Sequence, residues 1–136
     1  MRLSREAKKA LLRFGLSESQ LPAFGAGKSV AFYLRDAAEG TIAVAQMRES
    51  GRLRAGIYHI NHLGGGLVDF LRFEARARVS ARALGAGELE VLALELTNES
   101  LKTVLENGGF LPTTMDAPDE LGNDTFDAIS RIESVD

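Results

Sequence analysis

The 136-residue chain contains no cysteine. That excludes disulfides, thiolate nucleophiles and cysteine-based zinc sites, and leaves the compartment open. It has no basic excess: 16 Lys and Arg stand against 19 Asp and Glu, a formal net charge of −3. A nucleic-acid footprint usually requires the opposite balance. No apolar run approaches the ~18 residues of a membrane span, and the segment Met1-Arg2-Leu3-Ser4-Arg5-Glu6-Ala7-Lys8-Lys9 lacks the apolar core of a secretory signal. The expectation is a cytoplasmic protein with no nucleic-acid or membrane partner. The only histidines are His59 and His62. Side chains alternate along a strand, so this spacing is poor for two ligands, and no acidic residue nearby in sequence completes a set. No metal site is expected. No serine stands in a nucleophile-elbow context.

The length suits one domain spanning residues 1–136. A chain of this size buries roughly 68% of its unfolded surface, enough for one real core. Ser4 is a candidate N-cap, and Ala7, Ala10, Leu11 and Phe14 follow at helical spacing until Gly15. Arg5, Lys8, Lys9 and Arg13 occupy the other faces of that helix. They read as a solvated face or a nucleic-acid patch, and the acidic balance favours the former. Residues 17–23 suit one further turn. The stretches 29–35 and 41–47 read as a hairpin, with 53–61 as a third strand antiparallel to the second. Phe70, Phe73, Ala77, Ala81 and Leu84 place one apolar stripe on a helix over 67–84, with Asp69, Arg72 and Arg76 facing away. The stretch 89–96 is apolar on both faces, as in a strand covered on both sides. The strand–helix–strand order implies a parallel pair. Asn98 is a candidate N-cap for a helix ending at Asn107-Gly108-Gly109. Two last strands, 110–114 and 125–133, flank an acidic turn over 116–124. The fold class is therefore α/β (α+β): a mixed, mostly antiparallel central sheet with helices on both faces.

Two glycine-rich segments invite a phosphate. Gly25-Ala26-Gly27-Lys28-Ser29 ends like a nucleotide P-loop, but Pro22 stands where the first glycine belongs. A helical stretch precedes it and a strand follows, the reverse of the required order. Asn61-His62-Leu63-Gly64-Gly65-Gly66 is different, because it follows a strand and opens a helix. Three glycines cost backbone entropy where a helix must start. Close approach of an anion to main-chain N–H groups offsets that cost. The other reading is a plain flexible turn. Glu95 interrupts the apolar strand. It either ends the strand in solvent or faces a cleft, where withdrawal from water makes a carboxylate a stronger base.

Taken in order, these features resemble the GNAT superfamily of acyl-CoA-dependent N-acyltransferases. That family's phosphate turn reads Gln/Arg-x-x-Gly-x-Gly/Ala, matched here by Asn61, Gly64 and Gly66. Its later motif runs from an asparagine to a Gly-Phe, matched by Asn98, Leu101, Gly109 and Phe110. The helix ending Ala81-Arg82-Ala83-Leu84-Gly85-Ala86 is also typical. The likeness spans about residues 28–115. Asn61 departs from the usual Gln or Arg. Leu105 stands where many members carry the tyrosine proposed to protonate the departing thiolate.

The resemblance implies acetyl-CoA as co-substrate and an acetyl transfer to a small-molecule or protein amine. It puts Asn61, His62, Leu63, Gly64, Gly65, Gly66 and Asn98 at the cofactor. The N–H groups of residues 63–66 would hold the pyrophosphate, and the pantetheine arm would lie between splayed third and fourth strands. His59, or Glu95 through water, is the candidate base. The competing expectation is a binding or interaction module that keeps the fold without transfer activity. An oligomer is compatible with either.

Overall fold

A computed structural model describes residues 1–35, 37–58, 66–121 and 125–135. Helix α1, Arg5–Phe14, begins as its sequence dictates: the Ser4 hydroxyl accepts from the Ala7 N–H at 3.0 Å. Its end is fixed by Gly15 at φ 138°, where an added Cβ would stand 2.5 Å from the Phe32 ring. A 3₁₀ turn, Glu18–Gln20, leads into the short α2, Leu21–Gly25. Strands β1 (Val30–Tyr33), β2 (Ile42–Met47) and β3 (Arg52–Tyr58) follow as an antiparallel meander. Helix α3, Gly66–Leu84, crosses over to β4, Glu88–Leu94, which lies parallel to β3. Helix α4, Glu99–Asn107, precedes the antiparallel hairpin of β5 (Leu111–Asp116) and β6 (Thr125–Ser134). The sheet order is β1-β2-β3-β4-β6-β5, mixed and mostly antiparallel. Among the described residues, no helix is long and apolar enough to cross a membrane.

The packing refines the expected placement of the helices. Buried residues of all four helices join one cluster with Val30, Phe32, Ala43, Ala45, Leu53, Ala55, Leu89, Val91 and Ala93. Strand alternation puts those strand residues on one face. The opposite face has its own smaller cluster of Val44, Leu92, Leu94, Met115 and Phe126, whose buried members, among the described residues, all lie on strands. Although four strands separate β1 from β5 in the sheet, the Ser29 hydroxyl donates to the Asp116 carbonyl at 2.9 Å. The sheet thus curls until its two edges meet at one corner.

Polar side chains hold the curl inside. Arg54 donates to Glu90 at 2.8 Å and to the Thr114 carbonyl at 2.7 Å, and the Ser130 hydroxyl bonds Glu90 at 2.7 Å. Arg54, Glu90 and Ser130 are all buried. Gln46 donates to the Gly27 carbonyl and to Asp116. A second correction concerns Asp69, expected on the outer face of α3. It is buried and accepts from the Ala38 N–H at 3.4 Å. The donor comes from the connection between β1 and β2, 31 residues away, which periodicity along the helix does not register.

Candidate functional site

The parallel pairing of β3 with β4 runs from Arg52–Glu88 to Ile57–Ala93 and stops there. Among the described residues both strands run one residue further with partners only on their outer sides: Tyr58 pairs with Ile42 and Leu94 with Ala128. The two strands therefore part at their C-terminal ends. Glu95 completes the divergence. It sits at φ 49°, its N–H donates to the Asp127 carbonyl at 2.8 Å, and its carboxylate accepts from the Asp127 N–H at 3.3 Å. Both bonds draw the end of β4 toward β6.

The floor of this opening is apolar. Leu94 and Met115 are fully buried, and the half-buried Tyr58 ring lies 5.7 Å from that of Phe126. Gly56 makes room for Leu94, because a Cβ on it would come within 2.9 Å of three Leu94 side-chain atoms. Above the floor, two helices begin at this same end of the sheet, since each follows one strand of the parallel pair. Helix α3 starts at Gly66, which is buried. Helix α4 is capped by Asn98, whose side-chain oxygen accepts from the Leu101 N–H at 3.1 Å. Two positive helix ends beside a gap between strands suit an elongated ligand with an anionic portion and an apolar arm.

Glu95, Asn98 and Gly66 all fall at this end of the sheet. Glu95 is half-buried. His59, Asn61, His62, Leu63, Gly64 and Gly65 lie outside the described residues. Leu105 is 5% exposed and belongs to the main core, so no proton donor comes from that position. Sequence reasoning passed over Tyr58, the last residue of β3. It also passed over the Arg54–Glu90 pair, in which burial pushes the Glu90 carboxyl up. Hydrogen bonds from Ser130 and Arg54, with the charges of Arg54 and Arg52, outweigh that and hold it below the ordinary carboxylate range. A signal existed: Arg52-x-Arg54 and Glu88-x-Glu90 match in spacing, and parallel register sets 52 beside 88 and 54 beside 90.

No family model matches the chain, and no curated protein is significantly similar to it. Among solved structures, the chain is similar to one described as a Bacillus subtilis acetyltransferase in complex with CoA. The identity is 15%, with 98% of this chain and 94% of that one covered at a TM-score of 0.40.

Proposed function

We propose that the protein is an acyl-CoA-dependent N-acetyltransferase of GNAT type, moving an acetyl group from acetyl-CoA to an amine. The observation that carries this reading is the parting of a parallel strand pair at the end of the sheet where two helices start, the first of them directly after a glycine-rich segment of the sequence. The residues suit the co-substrate. Main-chain N–H groups of residues 63–66 and the N-terminus of α3 would take the pyrophosphate. The apolar floor at Leu94, Phe126 and Tyr58 would take the pantetheine arm. Bound acetyl-CoA supplies an activated thioester carbonyl.

The chain's own part is positioning and proton movement. The amine nitrogen bonds the carbonyl carbon as the C–S bond breaks. The amine gives up a proton and the thiolate gains one. His59, or Glu95 through water, would receive the first proton. With Leu105 in the core, the Tyr58 phenol at the opening is the candidate donor of the second. A thermal scan with CoA tests the reading. A ligand at a hundred times its Kd adds ~2.7 kcal/mol, a readily measured rise in Tm. Gly65→Asp should abolish the rise, because its carboxylate repels the pyrophosphate and its Cβ crowds it. No rise at millimolar CoA would remove the enzyme reading in favour of an interaction module.

A further inference from the structure

Helix α3 is apolar on two sides. Its inner side carries Phe70, Phe73, Ala77 and Ala81 into the main core. Its outer side carries a second stripe of Val68, Leu71, Ala75 and Val79, at i, i+3, i+7 and i+11, all exposed. Leu71 is 51% exposed and Val79 60%. A single exposed leucine needs no explanation, but a stripe over about three turns of one helix does. Helices α1 and α4 follow the usual rule, each exposing one large apolar residue, Leu12 and Val104, among charged and polar ones. A helix that is apolar all round is one that is covered on both sides.

The charges on α3 indicate what kind of surface covers it. Its carboxylates, Asp69 and Glu74, are both buried. Arg72 borders the stripe, Arg82 lies three residues beyond its end, and both are exposed. The outer side of α3 thus offers apolar side chains and arginine, and α3 contributes no exposed carboxylate to it. In a chain of net charge −3 this is a local reversal of sign. The complementary surface is apolar along its centre and acidic at its margins.

We propose that the outer face of α3 docks an amphipathic helix of a partner protein, one with aliphatic side chains along a single stripe and Asp or Glu at the margins of that stripe. The two stripes would pack ridge into groove, and Arg72 and Arg82 would fork onto the partner's carboxylates. A second copy of this chain is the poorer occupant. Face against like face, it would bring arginines from both copies and no exposed α3 carboxylate from either. An anionic bilayer is poorer as well. Helices that lie in a membrane surface carry Trp or Phe on the apolar side, whereas this stripe has neither, and the net charge of −3 opposes the approach. The proposal does not depend on the acetyltransferase reading, because the stripe runs to Val79, thirteen residues or about 20 Å of helix beyond Gly66.

Fluorescence anisotropy with a labelled, side-chain-stapled helical peptide provides the test, the peptide carrying leucine at heptad positions a and d and glutamate at e and g. It should bind the full chain at one equivalent, and more weakly as salt rises. Leu71→Ser and the double variant Arg72→Glu/Arg82→Glu should each weaken binding at least ~10-fold. All three positions are exposed, and circular dichroism checks that the variants fold. The double variant should instead take the same peptide with lysine in place of glutamate, an exchange that misfolding cannot produce. Leu12→Ser, on α1, should leave the affinity unchanged. Failure of the glutamate peptide to bind wild type, or equal affinity of wild type for the glutamate and lysine peptides, would overturn the proposal. So would displacement of the peptide by CoA, which would give the stripe to the co-substrate. Flotation with phosphatidylserine vesicles that the double variant abolishes would assign the face to a membrane instead, and a dimer in sedimentation velocity that Leu71→Ser dissociates would assign it to a second copy.

Discussion

Gly56 shows how a single missing side chain shapes the opening. It lies on the strand-only face of β3, where a Cβ would meet three atoms of the fully buried Leu94 within 2.9 Å. The fully buried Leu94 side chain would have to shift, so Gly56→Ala should cost ~1–3 kcal/mol in urea denaturation, the range of overpacking. Shortening the neighbour in Gly56→Ala/Leu94→Val should recover part of the loss; no recovery would place the strain elsewhere. Glu90 carries the second prediction at this scale. Its folded carboxyl is held below the ordinary 4.5 by Ser130, Arg54 and Arg52 against the opposing effect of burial. Between those two values the unfolded chain binds the extra proton, so stability falls as pH drops from 4.5 toward the folded value. Wild type should lose stability through that window more steeply than Glu90→Gln, whatever their difference at neutral pH; parallel slopes would show that Glu90 is not the group responsible. The caps at Ser4 and Asn98 were legible in the sequence because they are local, each bonding an N–H three residues on. Glu90 was not, because the side chains that hold it come from β3 and β6.

Among the elements, α1 and α3 make the main helical contact through aromatic rings. Phe73 is 2% exposed and stacks on Phe14 at 5.5 Å, as the apolar stripe over 67–84 required. Phe73→Ala should cost ~3–5 kcal/mol; a loss below about 1 kcal/mol is what a surface site gives and would contradict this packing. The β5 strand depends on a different kind of contact. Arg54 links the buried Glu90 to the Thr114 carbonyl, fastening β5 over the strand-only face. Arg54→Met would leave Glu90 charged, buried and without its main partner, at a cost of ~3–5 kcal/mol. Replacing both partners, Arg54→Met/Glu90→Leu, should return much of that, and amide exchange across residues 111–116 should be fast only in the single variant. If the two single losses simply add in the double, the pair is not coupled. Hydrophobic periodicity located the helices and strands to within a few residues. It did not reveal that β5 covers the second face where a helix was expected, because that closure rests on contacts such as Arg54–Thr114, 60 residues apart.

At the scale of the whole molecule, chemistry follows from where the topology collects its ends. The parallel pair sends two strands to one end of the sheet, and both following helices start there. That much was legible, since a strand, a glycine-rich turn, a helix and an apolar strand in series dictate a crossover. The parting of the strands was expected only through the family resemblance, because it depends on where pairing stops rather than on composition. The proposed acetyl transfer predicts a rate that rises with the titration of one base. An ordinary histidine titrates near pH 6.5 and burial lowers that value, so with His59 as base the rate should plateau by about pH 8. His59→Gln should remove the inflection and slow transfer ~10²–10⁴-fold. Tyr58→Phe should lower kcat more than it raises KM, because thiolate protonation follows binding. Leu105→Phe, in the core and away from the chemistry, should leave the rate nearly unchanged where folding tolerates it. A thiol-release assay over small amines, peptides and aminoglycosides measures all four proteins against wild type when Glu95→Gln is added. Persistence of the same pH dependence in His59→Gln would clear His59 and transfer the role to Glu95, whose variant should then be the slow one. Silence on every acceptor with CoA binding intact would instead assign the domain to binding without transfer.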